Sequence, residues 1–408
     1  MEELSENGVI CPIPWIHLSL FPNGKTLLCP CQSDYTVTAG NYNDEKITDL
    51  INSKVLRDLR VDLLKGEKNK ICNNCYDCET INPKGESPRT NYLKNFHTQM
   101  ERGISNTNGE GFINTDKFEF SYWDVRLINL CNLKCRTCHP IFSSSILDEY
   151  KKNGIPVPKV GNNSERPDRS DILDDLIKHA DVVQEIHFAG GEPLLMKEHW
   201  AILDELVKKK RFDVKLHYQT NLMKLDYKGV HVFESWKKFK TKLVVSPSVD
   251  AYGDRLSYIR GNSDWNKLNS NLLDLIKFKQ KYNNIEIIPT ITISIFSVFY
   301  VFDLINYLSE LEIKNYKLNF VLNPNYYNAS LLPDSLKEII SERLIEFGNI
   351  NPFILNQLEM IKNDLIRSTF TSRKQELLIQ FRENVLKFDK IRNQDFIKFF
   401  PELKELVA

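Results

Sequence analysis

The chain has 408 residues, 42% hydrophobic and 26% charged, an ordinary globular composition with length for two or three domains. Lys+Arg and Asp+Glu stand at 54 each, so no global charge draws the chain to nucleic acid or an anionic membrane. The opening MEELSENGVI has neither a basic n-region nor an apolar h-region, so no export signal is expected. The most apolar stretch, 285–302, is short and interrupted by Pro289. It reads as a buried strand leading into a helix, not a membrane span, and the expected location is the cytoplasm.

Taken from the N-terminus, residues 1–112 are rich in turns and cysteine. Nine cysteines all lie within the first 138 residues. In a chain without an export signal such clustering favours metal ligation over disulfides. Six belong to this segment: Cys11, Cys29, Cys31, Cys72, Cys75 and Cys78. A helix is expected over 47–66, and the polar, glycine-containing ERGISNTNGEGF, 101–112, reads as a linker.

Residues 113–330 alternate between strand and helix patterns. Strands are expected over 120–130, 182–190, 212–220, 242–250, 285–295 and 316–323. Between them helices are expected over 170–180, 197–210, near 230–240, 264–282 and 301–313. The stretch 140–169 reads as an insertion with an exposed loop. Such alternation implies right-handed βαβ units and a parallel sheet. Six units are too few for a closed eight-stranded barrel, so the expected fold is α/β, a partial (β/α)6 barrel with its chemistry at the C-terminal ends of the strands. From 331 to 408 the pattern is helical.

The first core strand runs directly into LCNLKCRTC, with Cys131, Cys135 and Cys138 spaced C-x3-C-x2-C. Thiolates select zinc or iron–sulfur clusters. A structural zinc site needs a fourth ligand, and the adjacent His139 is poorly placed to supply it. A [4Fe–4S] cluster on three cysteines instead leaves one iron open.

This motif resembles that of the radical S-adenosylmethionine (SAM) superfamily, with Thr137 where an aromatic residue is usual. The resemblance implies that the open iron holds SAM. It also implies that SAM is cleaved reductively to a 5'-deoxyadenosyl radical, which takes a hydrogen atom from substrate. An external one-electron donor such as flavodoxin or ferredoxin is implied too. Further motifs carry the likeness. AGGEPLL places Gly190, Gly191, Glu192 and Pro193 after the second strand, where the family contacts SAM. Adjacent glycines also admit close approach to the backbone. Thr220 and Asn221 end the third strand, and Ser248, Asp250 and Arg260 follow the fourth, at positions resembling those around the SAM ribose and carboxylate. Turn chemistry and surface ion pairing are the competing readings of these residues.

Cys11, Gly24 and Cys29 fit C-x12-G-x4-C, which resembles the start of the SPASM or shorter twitch domain, a carrier of auxiliary [4Fe–4S] clusters. Gly24 would turn the hairpin that brings Cys11 and Cys29 together. One auxiliary cluster is implied, on Cys11, Cys29, Cys72 and Cys75. Cys78 is a rival for Cys72 or Cys75, and Cys31 is a free thiol or spare ligand. Ser87 and Arg89 add to the likeness. A zinc-ribbon site is the alternative.

Substrate identity stays open. A small molecule or sugar is favoured because no separate leader-peptide domain is evident. A peptide maturase making a crosslink, oxidation or epimerisation is the alternative, and a non-catalytic zinc-binding interaction protein is a third reading. His17, His187 and His217 read as packed or strand residues, and Cys31 or Cys78 as a rarer hydrogen-atom donor.

Overall fold

The computed structural model describes residues 8–81, 87–157, 170–350, 354–366 and 368–408. In chain order its strands are β1 Ser19–Leu20, β2 Lys25–Leu27, β3 Gly40–Asn41, β4 Tyr122–Val125, β5 Lys134–Cys135, β6 Glu185–Phe188 and β7 Lys215–Thr220. There follow β8 Asp226–Tyr227, β9 Val230–His231, β10 Leu243–Pro247, β11 Arg260–Gly261, β12 Ile285–Ile287, β13 Thr290–Ile293 and β14 Lys317–Phe320. Among the described residues no helix is long and apolar enough to cross a membrane. By internal contacts the chain forms two units, one of 1–130, 158–219 and 226–243, the other of 131–157, 220–225 and 244–408.

In the first unit, β4, β6 and β7 are consecutive parallel neighbours, Tyr122 facing Glu185 and Glu185 facing Lys215. β1 runs parallel to β4 on its other side, with Ser19 opposite Asp124. β2 and β3 continue from β1 as an antiparallel ribbon. The cysteine-rich N-terminal segment thus extends the same sheet that opens the core. One side of β4, β6 and β7 is sealed: Trp123, Val125, Ile186, Phe188, Leu216 and Tyr218 are all buried. Period-2 alternation puts their neighbours on the opposite face.

The hairpin between β1 and β2 turns at Gly24, whose φ is +86°. A Cβ there would lie 2.1 Å from the Asn41 Oδ1 and Asn43 Nδ2 atoms, so glycine is required both by conformation and by space. The expected linker at 101–112 starts inside a helix, Pro88–Ser105. Its N-terminus is a capping box in which the Ser87 side chain accepts from the Thr90 N–H and the Thr90 hydroxyl accepts from the Ser87 N–H. The helix propensity of this capped segment carries it through Met100 to Ser105, beyond where polarity alone suggested a break.

In the second unit, β5 and β11 pair antiparallel, β12 neighbours β10, and β13 pairs parallel with β14. The single strand expected over 285–295 is two, divided around Pro289, which has no N–H to give a ladder. β12 and β13 consequently find different partners. The insertion contains a helix, Ser144–Lys152; its remainder over 158–169 lies outside the described residues. Long helices at Asp334–Ile350, Leu355–Leu365 and Lys374–Arg392 fill the C-terminal segment as its pattern suggested.

Candidate iron–sulfur and cofactor site

The three-cysteine loop is shaped by its own backbone and by the helix after it. Ser145 donates its hydroxyl to the Cys131 carbonyl at 2.7 Å, and Ser143 donates to the Leu133 carbonyl at 2.7 Å. The Cys138 N–H donates to the Cys135 carbonyl at 3.2 Å, closing a tight turn. His139 points elsewhere, its Nδ1 accepting from the Ile141 N–H at 3.1 Å.

Burial pushes the Cys138 thiol up to about 12, helped by the charge of Cys135 and Cys131. Burial likewise raises Cys135, while the Arg260 cation opposes the rise. Three crowded, half-buried thiols repel one another as thiolates, so a cationic group among them makes ionisation favourable. None of the nine cysteines is in a disulfide. Among the described residues no group of three or more His, Cys, Asp or Glu is arranged to hold a metal ion. A single zinc needs every sulfur within about 2.3 Å of one point, whereas each cysteine of a cluster meets its own iron.

The same unit gathers most of the other candidates around this loop. Arg260 sits opposite Cys135 in the β5–β11 pair. Its Nη1 donates to Asp250 Oδ2 at 2.8 Å, and Asp250 Oδ1 accepts from the Thr292 N–H at 2.9 Å. Both side chains are largely buried, 12% and 1% exposed. The Arg260 Nε is buried without a hydrogen-bond partner, an unmet donor beside the cysteines that suits a ligand carboxylate. Asn221 Nδ2 donates to Asn132 Oδ1 at 2.9 Å and lies 3.9 Å from Cys131 Sγ. The Ser248 N–H donates to the Thr220 carbonyl at 2.8 Å. Thr220 and Asn221 also cap their own turn, accepting from the N–H groups of Leu222 and Met223.

The Gly190–Pro193 segment belongs to the first unit. There the close approach to the glycines is made by the chain's own backbone. A Cβ at Gly191 would fall 2.3 Å from the Leu130 carbonyl oxygen, and one at Gly190 would fall 3.1 Å from the Arg126 Cα. The Glu192 N–H donates to that Leu130 carbonyl at 2.7 Å. The buried Glu192 carboxylate accepts from the Leu194 N–H at 3.3 Å, starting the turn that Pro193 opens. This segment therefore clamps the last residue before the three-cysteine loop.

The six N-terminal cysteines also come together within the first unit. Burial raises the Cys11 thiol, with further contributions from Cys72 and Cys75. Cys29 is raised first by its hydrogen bond with Cys31, then by burial. Cys75 is pushed up to about 12 by burial and by the charges of Cys31, Cys72 and Cys78. Cys31, read from sequence as free or spare, thus interacts with Cys29, Cys75 and Cys78. Arg89 braces the assembly. It forms two hydrogen bonds with Glu79, at 3.0 and 2.6 Å, and donates to the Ile10 carbonyl at 2.9 Å, next to Cys11.

Sequence reasoning missed two features. Arg136, inside the cysteine motif, is locked by a buried network to the C-terminal helices. His187, read as a core residue, is half-buried, 16% exposed, and lies 3.4 Å from Asp124. The one signal for the latter was an aspartate and a histidine each midway along a predicted strand.

Residues 125–299 match the family model of the radical SAM superfamily, and residues 11–79 match SPASM, an iron–sulfur cluster-binding domain. Among curated proteins none matches the chain. Solved structures with some likeness include native anSMEcpe with bound AdoMet, 20% identical, covering 57% of this chain and 62% of that one, TM-score 0.39. The same protein with bound AdoMet and Cp18Cys peptide is 19% identical, covering 57% and 61%, TM-score 0.39. Streptococcus suis SuiB bound to precursor peptide SuiA is 13% identical, covering 72% and 60%, TM-score 0.36. The chain spans about three fifths of the length of these proteins, and the family rests on the two sequence matches. A radical SAM domain implies a [4Fe–4S] cluster with SAM, and a SPASM domain implies an auxiliary iron–sulfur cluster. The chain carries a radical SAM domain over 125–299, with an iron–sulfur SPASM domain ahead of it over 11–79.

Proposed function

We propose that this chain is a cytoplasmic enzyme that cleaves SAM reductively and modifies a small molecule or sugar, with one auxiliary cluster aiding the oxidation or modification. The observation that carries this reading is the loop of three half-buried, disulfide-free cysteines with Arg260 and its unpartnered Nε facing Cys135. When bound there, the cluster and SAM supply a 5'-deoxyadenosyl radical that takes a hydrogen atom from substrate.

The chain's own residues hold and shield that chemistry. Cys131, Cys135 and Cys138 ligate the cluster. Arg260 receives the SAM carboxylate, and Asp250, fixed by Arg260 and Thr292, keeps the guanidinium in place. Thr220, Asn221 and Ser248 line the same strand ends, and Gly190, Gly191, Glu192 and Pro193 steady the entry to the loop. Cys11, Cys29, Cys72 and Cys75 hold the auxiliary cluster, with Cys78 the rival ligand. The segments 1–112, 113–330 and 331–408 serve as auxiliary-cluster domain, partial (β/α)6 barrel and helical support. Reducing equivalents come from an external one-electron donor such as flavodoxin or ferredoxin.

The deciding experiment is anaerobic reconstitution with iron and sulfide, followed by metal analysis and reduction in the presence of SAM. About eight irons per chain and release of 5'-deoxyadenosine are expected. Uptake of zinc without iron, with SAM left intact, would overturn the proposal in favour of a zinc-binding interaction protein.

A further inference from the structure

One face of the first unit's sheet carries a polar row that the cofactor chemistry does not use. Parallel register sets Ser19, Asp124, His187 and His217 side by side on β1, β4, β6 and β7. One step earlier along the strands, Tyr122, Glu185 and Lys215 form a second row. Period-2 geometry puts both rows on the same face, opposite the sealed apolar side. Glu185, His187, Lys215 and His217 are each half-buried while the residues between them are buried. Those four side chains are the reachable part of the face, while Ser19, Tyr122 and Asp124 beside them are buried.

Its charges cancel locally. Arg126 Nε meets the two Asp124 oxygens at 2.8 and 3.1 Å, and Lys215 Nζ meets Glu185 Oε2 at 2.8 Å. Burial pushes the Asp124 carboxyl up, but Arg126 and His187 hold it well below the usual carboxylate range. Asp124 is thus a fixed anion 3.4 Å from His187 Nδ1. Nδ1 is thereby engaged, and Nε2, on the other side of the ring, is the nitrogen the imidazole presents to a ligand. The His217 ring, 4.6 Å away between centroids, stacks against His187 and limits its rotation. Behind the row, His17 spans the Tyr122 carbonyl at 2.9 Å and Ser19 Oγ at 2.8 Å, and its burial holds it neutral, pulled down to about 4.

Two internally neutralised ion pairs and an oriented imidazole nitrogen suit a ligand that forms hydrogen bonds and carries no net charge. A charged ligand would have to break one of the pairs. The auxiliary cysteines are close by: the Tyr35 phenol is raised by burial and interacts with Arg126, Cys31, Cys29 and Asp124 together.

We propose that the face formed by Glu185, His187, Lys215 and His217, backed by Asp124 and Arg126, is a substrate subsite. It binds a neutral hydroxyl-bearing group of the sugar or polyol class, and His187 Nε2 is its hydrogen-bond partner. This deepens the proposed function and rests on it for the chemistry that follows binding.

The test is calorimetric titration of the reconstituted full chain with SAM present. The probes are glucose, N-acetylglucosamine and glycerol as neutral ligands, and glucosamine and glutamate as charged ones. At least one neutral probe should bind more tightly than both charged probes. His187→Asn keeps a partner for Asp124 but removes Nε2, and should weaken that binding about tenfold or more. Absence of binding by every neutral probe, tighter binding of a charged probe, or unchanged affinity in His187→Asn overturns the subsite. Should that variant melt early, imidazole nitrogen NMR of the unmutated chain decides instead, by whether the neutral probe moves the His187 Nε2 resonance. Release of 5'-deoxyadenosine is scored separately. Its absence with sugar binding intact sinks only the radical reading, and its presence without sugar binding sinks only the subsite.

Discussion

Arg136 and Asp389 are 253 residues apart in sequence and 2.5 Å apart in space. Arg136 lies between two cysteines of the cluster motif with its side chain fully buried, and Asp389 sits in the last turns of the helix Lys374–Arg392. The aspartate also accepts from the Tyr258 hydroxyl and the Phe396 N–H, both at 2.7 Å. Arg136 in turn donates to the Tyr258 carbonyl at 3.1 Å and stacks on its ring at 3.9 Å. The C-terminal helices thereby hold the cysteine loop from behind.

Asp389→Ala should therefore destabilise the chain by about 3–5 kcal/mol, because it leaves a buried guanidinium uncompensated. Denaturant unfolding measures the loss, and iron analysis should show the three-cysteine cluster weakened before the auxiliary one. The double variant Arg136→Met with Asp389→Leu should recover much of the stability, since both charges are then gone. A double variant as unstable as Asp389→Ala would count against the buried pair as the anchor.

Changing Cys131, Cys135 and Cys138 together to alanine should lower iron from about eight to about four per chain and abolish 5'-deoxyadenosine release. Retention of all the iron would place both clusters elsewhere.

Arg260→Gln should leave the iron count unchanged while weakening SAM binding by about tenfold, the scale of one lost charge-assisted hydrogen bond. Equilibrium binding of SAM to the reconstituted protein checks this. A parallel fall in iron would mean that Arg260 supports the loop rather than the ligand.

Gly191→Ala forces a methyl group to within 2.3 Å of the Leu130 carbonyl oxygen. Backbone must then shift, at a cost of about 1–3 kcal/mol, and thermal unfolding should register it. An alanine at Gly229, where a Cβ meets nothing within 4 Å but φ is +82°, separates the cost of conformation from that of space.

His17 and His199 are buried and neutral, with burial lowering them to about 4 and about 3. Unfolded, each takes up a proton near pH 6.5. Below that value the unfolded chain binds more protons than the folded one, so stability falls as pH falls. Each histidine contributes about 1.4 kcal/mol per pH unit until its folded value is reached. Denaturant unfolding between pH 6.5 and 4.5 should show that slope, and His199→Phe should reduce it by about one proton's worth.

Much of the chemistry was legible because it is written in short, local spacings. C-x3-C-x2-C, GGEP after a strand, and Cys11–Gly24–Cys29 each depend on residues close in sequence. The elements of the core were legible too, since period-2 and helical patterning survive without tertiary context. Boundaries were less so. Pro289 was visible, but which partners each half of that strand would take was not. The polar stretch from 101 read as a linker because a cap as far back as Ser87 governs it. His187 looked like core because a single histidine in a strand does not reveal which face it occupies.

The sequence by itself determined the cysteine motifs, the α/β alternation, the family, and the glycine that turns the first hairpin, because each is set by neighbours a few residues away. Only the tertiary structure decided that Asp389 secures Arg136, that Arg260 faces Cys135, that Cys31 joins the other N-terminal thiols, and that Asp124, His187 and His217 share one face of the sheet. Those are relations of register and burial between distant segments. A buried charge or an oriented imidazole takes its meaning from whatever is packed against it.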